Sequence, residues 1–360
     1  MPTKRFRWEV FLSTVLLFFT ILSCHHPIHV PASKSDENSP TVATLPLPSI
    51  GVVDKSQEFA DLFYSVLKSE PSFREWLCCD RYLRLPGHPS DAMPALSTNY
   101  KVLLVPGLFS QCLKTISAFS DAASHLATTH ALSVVYLEVP ALGSSEENGQ
   151  RIADYVDQEY EKDGRPFIII GYSKGSPDSQ FALTKLAHPE AVTALVAVAG
   201  SIGGSRLADA LAGQFSLWFR KLHLSPLCEV ADAKGFIDLR RDRRHEFLQK
   251  YPNALVPTYC IAAVSTRQNT SRILLDAWDY LSFFERDQDS QMIASDTVAP
   301  HSTFLGIANG DHWAVAMPFE DAHDNFINLL VDKNHFPRPI LLEAILRFVT
   351  GDLQKLHAAR

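Results

Sequence analysis

One stretch constrains the fold of this chain more than any other: residues 165–180, RPFIIIGYSKGSPDSQ. Residues 167–170 form a short apolar run, β-branched at Ile168, Ile169 and Ile170, which reads as a buried strand. Residues 181–186 read as a helix. Between them lies a G-x-S-x-G pattern, Gly171-Tyr172-Ser173-Lys174-Gly175. The two glycines let a strand and a helix approach closely through a sharp, strained turn. Such a turn holds the Ser173 hydroxyl up at the carboxyl end of the strand. It also aims the Lys174 backbone N–H at any oxyanion formed beside Ser173. The bare pattern is common; a strand before it and a helix after it make it specific.

The rest of the chain repeats the alternation. Strands are expected at residues 100–105, 132–139, 194–199, 258–264 and 304–308. Helices are expected at 57–69, near 117–127, and at 147–162 and 339–356. Strands alternating with helices imply an α/β protein with a mostly parallel sheet covered on both faces. A chain of 360 residues, 46% hydrophobic, has ample core for it. Residues 203–256 exceed what a minimal fold of this kind needs. With their apolar runs at 207–211 and 215–219 they read as an inserted cap over the site, the alternative being packing against the sheet edge. Residues 272–284 are a second excursion. Ser65 and Lys68 make an S-x-x-K pair, which is set aside because its S-D-N and K-T-G partners are absent.

The net charge is −7, and the body of the chain has no Lys/Arg block. Nucleic acid is therefore not an expected partner. The cysteines stand at 24, 78, 79, 112, 228 and 260, with no spacing that suits zinc and no disulfide framework. Residues 1–24 have the form of an export signal: Lys4, Arg5 and Arg7, then an apolar run from 10 to 22, too short for a comfortable membrane span. The run ends Leu22-Ser23-Cys24. That resembles a bacterial lipoprotein box, whose cysteine, Cys24, becomes the lipidated first residue. An ordinary signal peptide or an uncleaved anchor fits the same segment. Residues 25–50, with Pro27, Pro31, Pro40, Pro46 and Pro48 among polar residues, read as an extended tether. The domain proper is then 51–360. On this reading the protein is exported and meets a membrane through its N-terminal lipid or anchor, or is secreted or periplasmic.

Strand–Pro106-Gly107-Leu108, then strand–GYSKG–helix, then an acid, then Asp311-His312: over residues 95–350 this order resembles the α/β-hydrolase fold, and within it exported bacterial lipase- and esterase-like proteins. The resemblance implies a serine nucleophile, a histidine base, a carboxylate and an oxyanion hole. Ser173 is the nucleophile. His312 lies just beyond the last expected strand, where the family places its base. The acid has two candidates. Asp289, in QDSQM, resembles the family's N-D-G-x-[VM] turn with Ser290 in place of Gly, and it precedes His312 by 23 residues. Asp296, in DTVAP, resembles the D-x-x-V-P turn of other members. Spacing favours Asp289, because only 297–303 separate Asp296 from the last strand, short of the roughly 10–12 residues of a helical crossover. Asp276, Asp279 and Asp287 are weaker candidates. Asp311 adjoins His312, so its side chain points elsewhere. The oxyanion donors implied are the N–H groups of Lys174 and Leu108, with Phe109 next.

Two kinds of function fit. One is a serine hydrolase cleaving a small-molecule carboxylic ester or thioester, with no metal or cofactor required. The other is a non-catalytic envelope lipoprotein that keeps the fold as a binding module. Ser173 and His312 standing in order favour the enzyme. The apolar 215–219 patch points to an acyl or aromatic substrate. Fold alone fixes no substrate.

Overall fold

The computed structural model describes residues 50–72, 82–108, 116–210, 234–319 and 331–358. Its centre is a seven-stranded sheet with every pair parallel. The strands are β1 (Val53–Asp54), β2 (Lys101–Val105), β3 (Val134–Tyr136), β4 (Phe167–Tyr172), β5 (Val192–Val198), β6 (Thr258–Val264) and β7 (Thr303–Asn309). They lie in the order β1-β7-β6-β5-β4-β2-β3. The helices used below are α1 (Ser56–Ser69), α2 (Ser120–His130), α3 (Ser145–Asp163), α4 (Gly175–Leu183), α5 (Lys234–Asp238), α6 (Arg241–Lys250), α7 (Leu275–Ser282) and α8 (Arg338–Ala358).

Why these strands read as unbroken apolar runs is visible in the layers. Along β2 and β4, Val102, Leu104, Ile168 and Ile170 face one way, into the layer built by α1, α2 and α8. Leu103, Val105, Phe167 and Ile169 face the other, onto Ile152, Ala153 and Val156 of α3. A parallel sheet covered on both faces has no polar side to show. Helix α3 starts on a capping box: Ser144 Oγ accepts from Glu147 N at 3.1 Å, and the Glu147 carboxylate accepts from Ser144 N at 3.4 Å.

The structure differs from the sequence reading in places. The strand expected at 132–139 shortens to β3, an edge strand of three residues. Helix α2 begins at Ser120, after Phe119 in a left-handed turn with φ 60°. Helix α4 begins at Gly175, directly behind the nucleophile candidate, rather than near 181. β1 carries no sequence signal: its two exposed residues align with Thr303 and Phe304 of β7. The signal and tether segments, Cys24, Cys78, Cys79, Phe109 and the 215–219 patch lie outside the described residues.

Of the 203–256 insertion, residues 203–210 and the start of α5 lie near the carboxyl end of the sheet, and α6 leads from there to the start of β6, where Phe247, Tyr251 and Leu255 stand beside Leu195 and Thr258. Ser205 N donates to Leu239 O at 2.8 Å, and Gly235 N to Leu142 O at 2.9 Å. Arg244 of α6 is buried and donates from Nε to Ile202 O at 3.0 Å. Burial lowers its guanidinium pKa to about 10, against the pull of Asp178 and Asp238. Ser65 and Lys68 go separate ways. Ser65 Oγ donates to Asp61 O at 2.6 Å, whereas the exposed Lys68 meets Asp91 at 3.1 Å.

Candidate active site

Strand β4 delivers Ser173 to the carboxyl edge of the sheet. Its backbone sits at φ 53°, a left-handed conformation that costs a non-glycine residue roughly 1–2 kcal/mol. Three hydrogen bonds hold it there: Ser173 N to Val198 O, and Ser176 N and Ser201 N to Ser173 O, each 3.1 Å. The flanking glycines are required by space. A Cβ on Gly175 would come within 2.2 Å of Val105 O, and one on Gly171 within 2.7 Å of Ser176 Cα.

His312 follows β7. Its Nε2 lies 2.9 Å from Ser173 Oγ. Its Nδ1 lies 2.7 Å from Asp289 Oδ2. The other oxygen, Asp289 Oδ1, accepts from Gln291 N at 2.9 Å and Met292 N at 2.7 Å. All three side chains are buried. A proton on Nδ1 directed at the carboxylate would leave Nε2 as the nitrogen that faces Ser173 Oγ as an acceptor. Ser290 adopts φ 79°, the conformation for which glycine suits that position of the turn.

Asp296 is not in this chain of bonds. It lies on the 3₁₀ turn Ala294–Thr297, where its carbonyl accepts from Gly203 N at 2.7 Å. Burial raises its carboxyl, opposed by Arg241 and Arg206. Asp287 pairs with Arg84 through both oxygens at 2.9 and 2.7 Å, and Asp279 pairs with Arg267 at 2.7 Å. Asp276 lies on α7. Asp311 turns away from the imidazole and accepts from the N–H groups of Ser271, Trp313 and Ala314. The spacing argument, however, had the crossover in the wrong place. The helix between β6 and β7 is α7, ahead of Asp289, and only a 3₁₀ turn separates Asp289 from β7.

The loop after β2 lies against the nucleophile: a Cβ on Gly107 would meet Ser173 Cβ at 2.9 Å and Oγ at 3.3 Å. Gly107, the residue before Leu108, thus lies against Ser173, and Lys174 stands at the N-cap position of α4, where helix N–H groups and the dipole favour negative charge.

Two partners went unread in the sequence. The Tyr172 hydroxyl donates to His312 O at 2.7 Å, its ring 5.1 Å from the imidazole. Burial, with the charges of Asp289 and Asp311, raises its pKa well above the ordinary value, so it stays a donor. The Lys174 side chain turns inward, its Nζ 2.8 and 2.7 Å from the Asp178 oxygens. Asn148 Nδ2 adds a bond to Asp178 at 2.7 Å. The four-residue spacing of Lys174 and Asp178 was the available signal.

No protein-family model matches the chain, and no curated protein matches it. Solved structures do. A metagenomic carboxyl esterase superposes with a TM-score of 0.77 and 28% identity, covering 87% of this chain and 97% of its own. This chain is an esterase/lipase-like protein of the α/β-hydrolase fold. A Bacillus licheniformis lipase in its propeptide form shares the fold at a TM-score of 0.52 and 19% identity, over 72% of this chain and 51% of that one. For an α/β-hydrolase the chain order Ser173, Asp289, His312 is the usual one.

Proposed function

We propose that this protein is a serine hydrolase that cleaves a carboxylic ester or thioester through an acyl-enzyme. The observation that carries the reading is the continuous pair of hydrogen bonds from Ser173 Oγ through the His312 ring to Asp289. In the proposed cycle His312 Nε2 takes the Ser173 proton as Oγ attacks the acyl carbon. Asp289 stabilises the imidazolium so formed, and the N–H groups of Leu108 and Lys174 receive the oxyanion. His312 then protonates the departing alcohol or thiol. Water, deprotonated by His312, attacks the acyl-enzyme and releases the acid. Likeness to a carboxyl esterase over nearly the whole of both chains supports an ester as the substrate.

The test is a panel of p-nitrophenyl esters and acyl thioesters of increasing chain length, run beside Ser173→Ala. Turnover that disappears in the variant supports the reading. No turnover of any member by the wild type leaves the binding-module alternative standing.

We also propose that the chain is exported and held at a membrane through a lipidated Cys24. The basic start, the apolar run and the cysteine that ends it support this. Mass spectrometry of the native N-terminal peptide tests it: an unmodified Cys24, or cleavage elsewhere, rejects it.

A further inference from the structure

Helices α2 and α8 pack together in the apolar layer that covers one face of the sheet. Between them sits a small polar cluster that the proposed acyl transfer does not use. His125 Nε2 lies 3.2 Å from Glu343 Oε2, and His130 Nε2 lies 3.0 Å from the same oxygen. All three atoms fall within 4.8 Å of one another. The Glu343 side chain is 3% exposed and the two imidazoles 15% and 21%.

Three details set this cluster apart from an ordinary ion pair. First, His130 Nε2 is shielded from water and makes no hydrogen bond, although it lies 3.0 Å from the carboxylate oxygen. Nitrogen and oxygen are close but not aligned on each other, as two atoms are when both address a third. Second, atoms bound to a tetrahedral zinc ion at about 2.0–2.2 Å stand about 3.3 Å from each other. The two nitrogen–oxygen separations are near that value. Third, Arg347 Nε donates to the other carboxylate oxygen, Oε1, at 2.8 Å. That bond fixes the carboxylate and leaves Oε2 turned to the imidazoles, which is how outer partners orient metal ligands.

We propose that His125, His130 and Glu343 bind one divalent transition-metal ion, zinc foremost, with a water in the fourth position. Two imidazoles and one carboxylate are a donor set that suits zinc. The ion fastens the second half of α2 to the second turn of α8. Its role is structural. Helix α2 begins beside Phe119, whose N–H donates to Ala316 O at 2.6 Å and whose ring meets that of Tyr172 at 6.1 Å. Fastening α2 therefore steadies the layer beneath the residue that precedes Ser173.

The experiment uses the full chain, stripped with a chelator and then freed of it. Zinc chloride is titrated calorimetrically, thermal unfolding is followed with and without zinc, and cobalt(II) is added to read coordination from its visible absorption. The expected result is one zinc per chain, a raised Tm and the intense bands of four-coordinate cobalt. His130→Ala and Glu343→Gln should each weaken zinc at least ~10-fold, while His312→Ala keeps full binding. Cooperative unfolding of each metal-free variant shows that it still folds, and Glu343→Gln preserves side-chain volume if His130→Ala does not. Absence of saturable binding overturns the proposal. So does zinc binding equal to wild type in His125→Ala/His130→Ala, or binding lost only in His312→Ala.

Discussion

Asp289 holds His312 twice. Its carboxylate meets the imidazole Nδ1 at 2.7 Å, and its backbone carbonyl accepts the His312 N–H at 2.7 Å. The carbonyl bond sets the position of the histidine backbone, and the carboxylate sets the ring and its tautomer.

Asp289→Asn therefore separates the two functions. The carbonyl tether survives, so the fold and the place of His312 are kept. The amide can donate to Nδ1, which puts the ring proton on the wrong nitrogen. The expected loss is on the order of 10⁴ in kcat. Asp296→Asn should cost far less. Pre-steady-state acylation rates of both variants check this; a crippled Asp296→Asn beside a near-normal Asp289→Asn would assign the acid to the other turn.

Ser173 should be the residue that a fluorophosphonate probe labels, because its hydroxyl stands 2.9 Å from a base. Ser173→Ala should lose the label and at least ~10³-fold in kcat. Equal labelling of wild type and variant, read by intact mass, would sink the assignment.

Lys174 and Asp178 form an ion pair with both side chains about 1% exposed. Removing one partner of such a pair leaves a charge buried alone, at a cost of ~3–5 kcal/mol. Lys174→Met should be destabilised by that order in urea. Lys174→Met/Asp178→Leu should recover most of it, since Asn148 Nδ2 still donates to Pro140 O at 3.1 Å. A double variant weaker than the single would show that the pair itself carries net stability.

Glu343 makes stability depend on pH in metal-free protein. Its folded pKa of about 2 lies below the ordinary 4.5. A depressed carboxyl stabilises the fold above the unfolded value and loses that contribution as pH falls from 4.5 towards 2. The full span is on the order of 3 kcal/mol. His125, raised by its hydrogen bond to Glu343 against burial, runs the other way: its contribution is complete below 6.5 and is lost as pH rises through the raised pKa. The stability gap between wild type and Glu343→Gln should thus be widest near pH 5–6. Urea melts from pH 3.5 to 8 measure it; a gap that does not vary with pH contradicts the pairing.

How much of this was legible follows from the range of each interaction. The elbow was, because strand, glycines and helix are contiguous, and β6 was read to the residue because a β-branched threonine leads an unbroken buried run from Tyr259 to Ala263. Asp289 was favoured for its distance from His312, yet by way of a crossover helix that the chain places earlier. β1 was invisible: two exposed residues held by backbone bonds to β7 leave no pattern in side chains. The His125–Glu343 contact spans 218 residues, and nothing local to either residue announces the other. Lys174 could have been read, but a lysine inside a catalytic motif invites attention to its N–H and draws it from its side chain.

The edge strand β1 also has a directional consequence. It runs parallel to β7 from Val53, level with Thr303, and the N–H of His301 donates to Ile50 O at 3.0 Å. Everything upstream of Ile50 thus joins the domain at the amino end of β7, whereas His312 lies past its carboxyl end. Seven residues of strand separate those ends, about 20 Å at the usual rise. The segment that leaves the domain at Ile50 therefore departs from the end of the sheet opposite Ser173, a strand's length from the nucleophile.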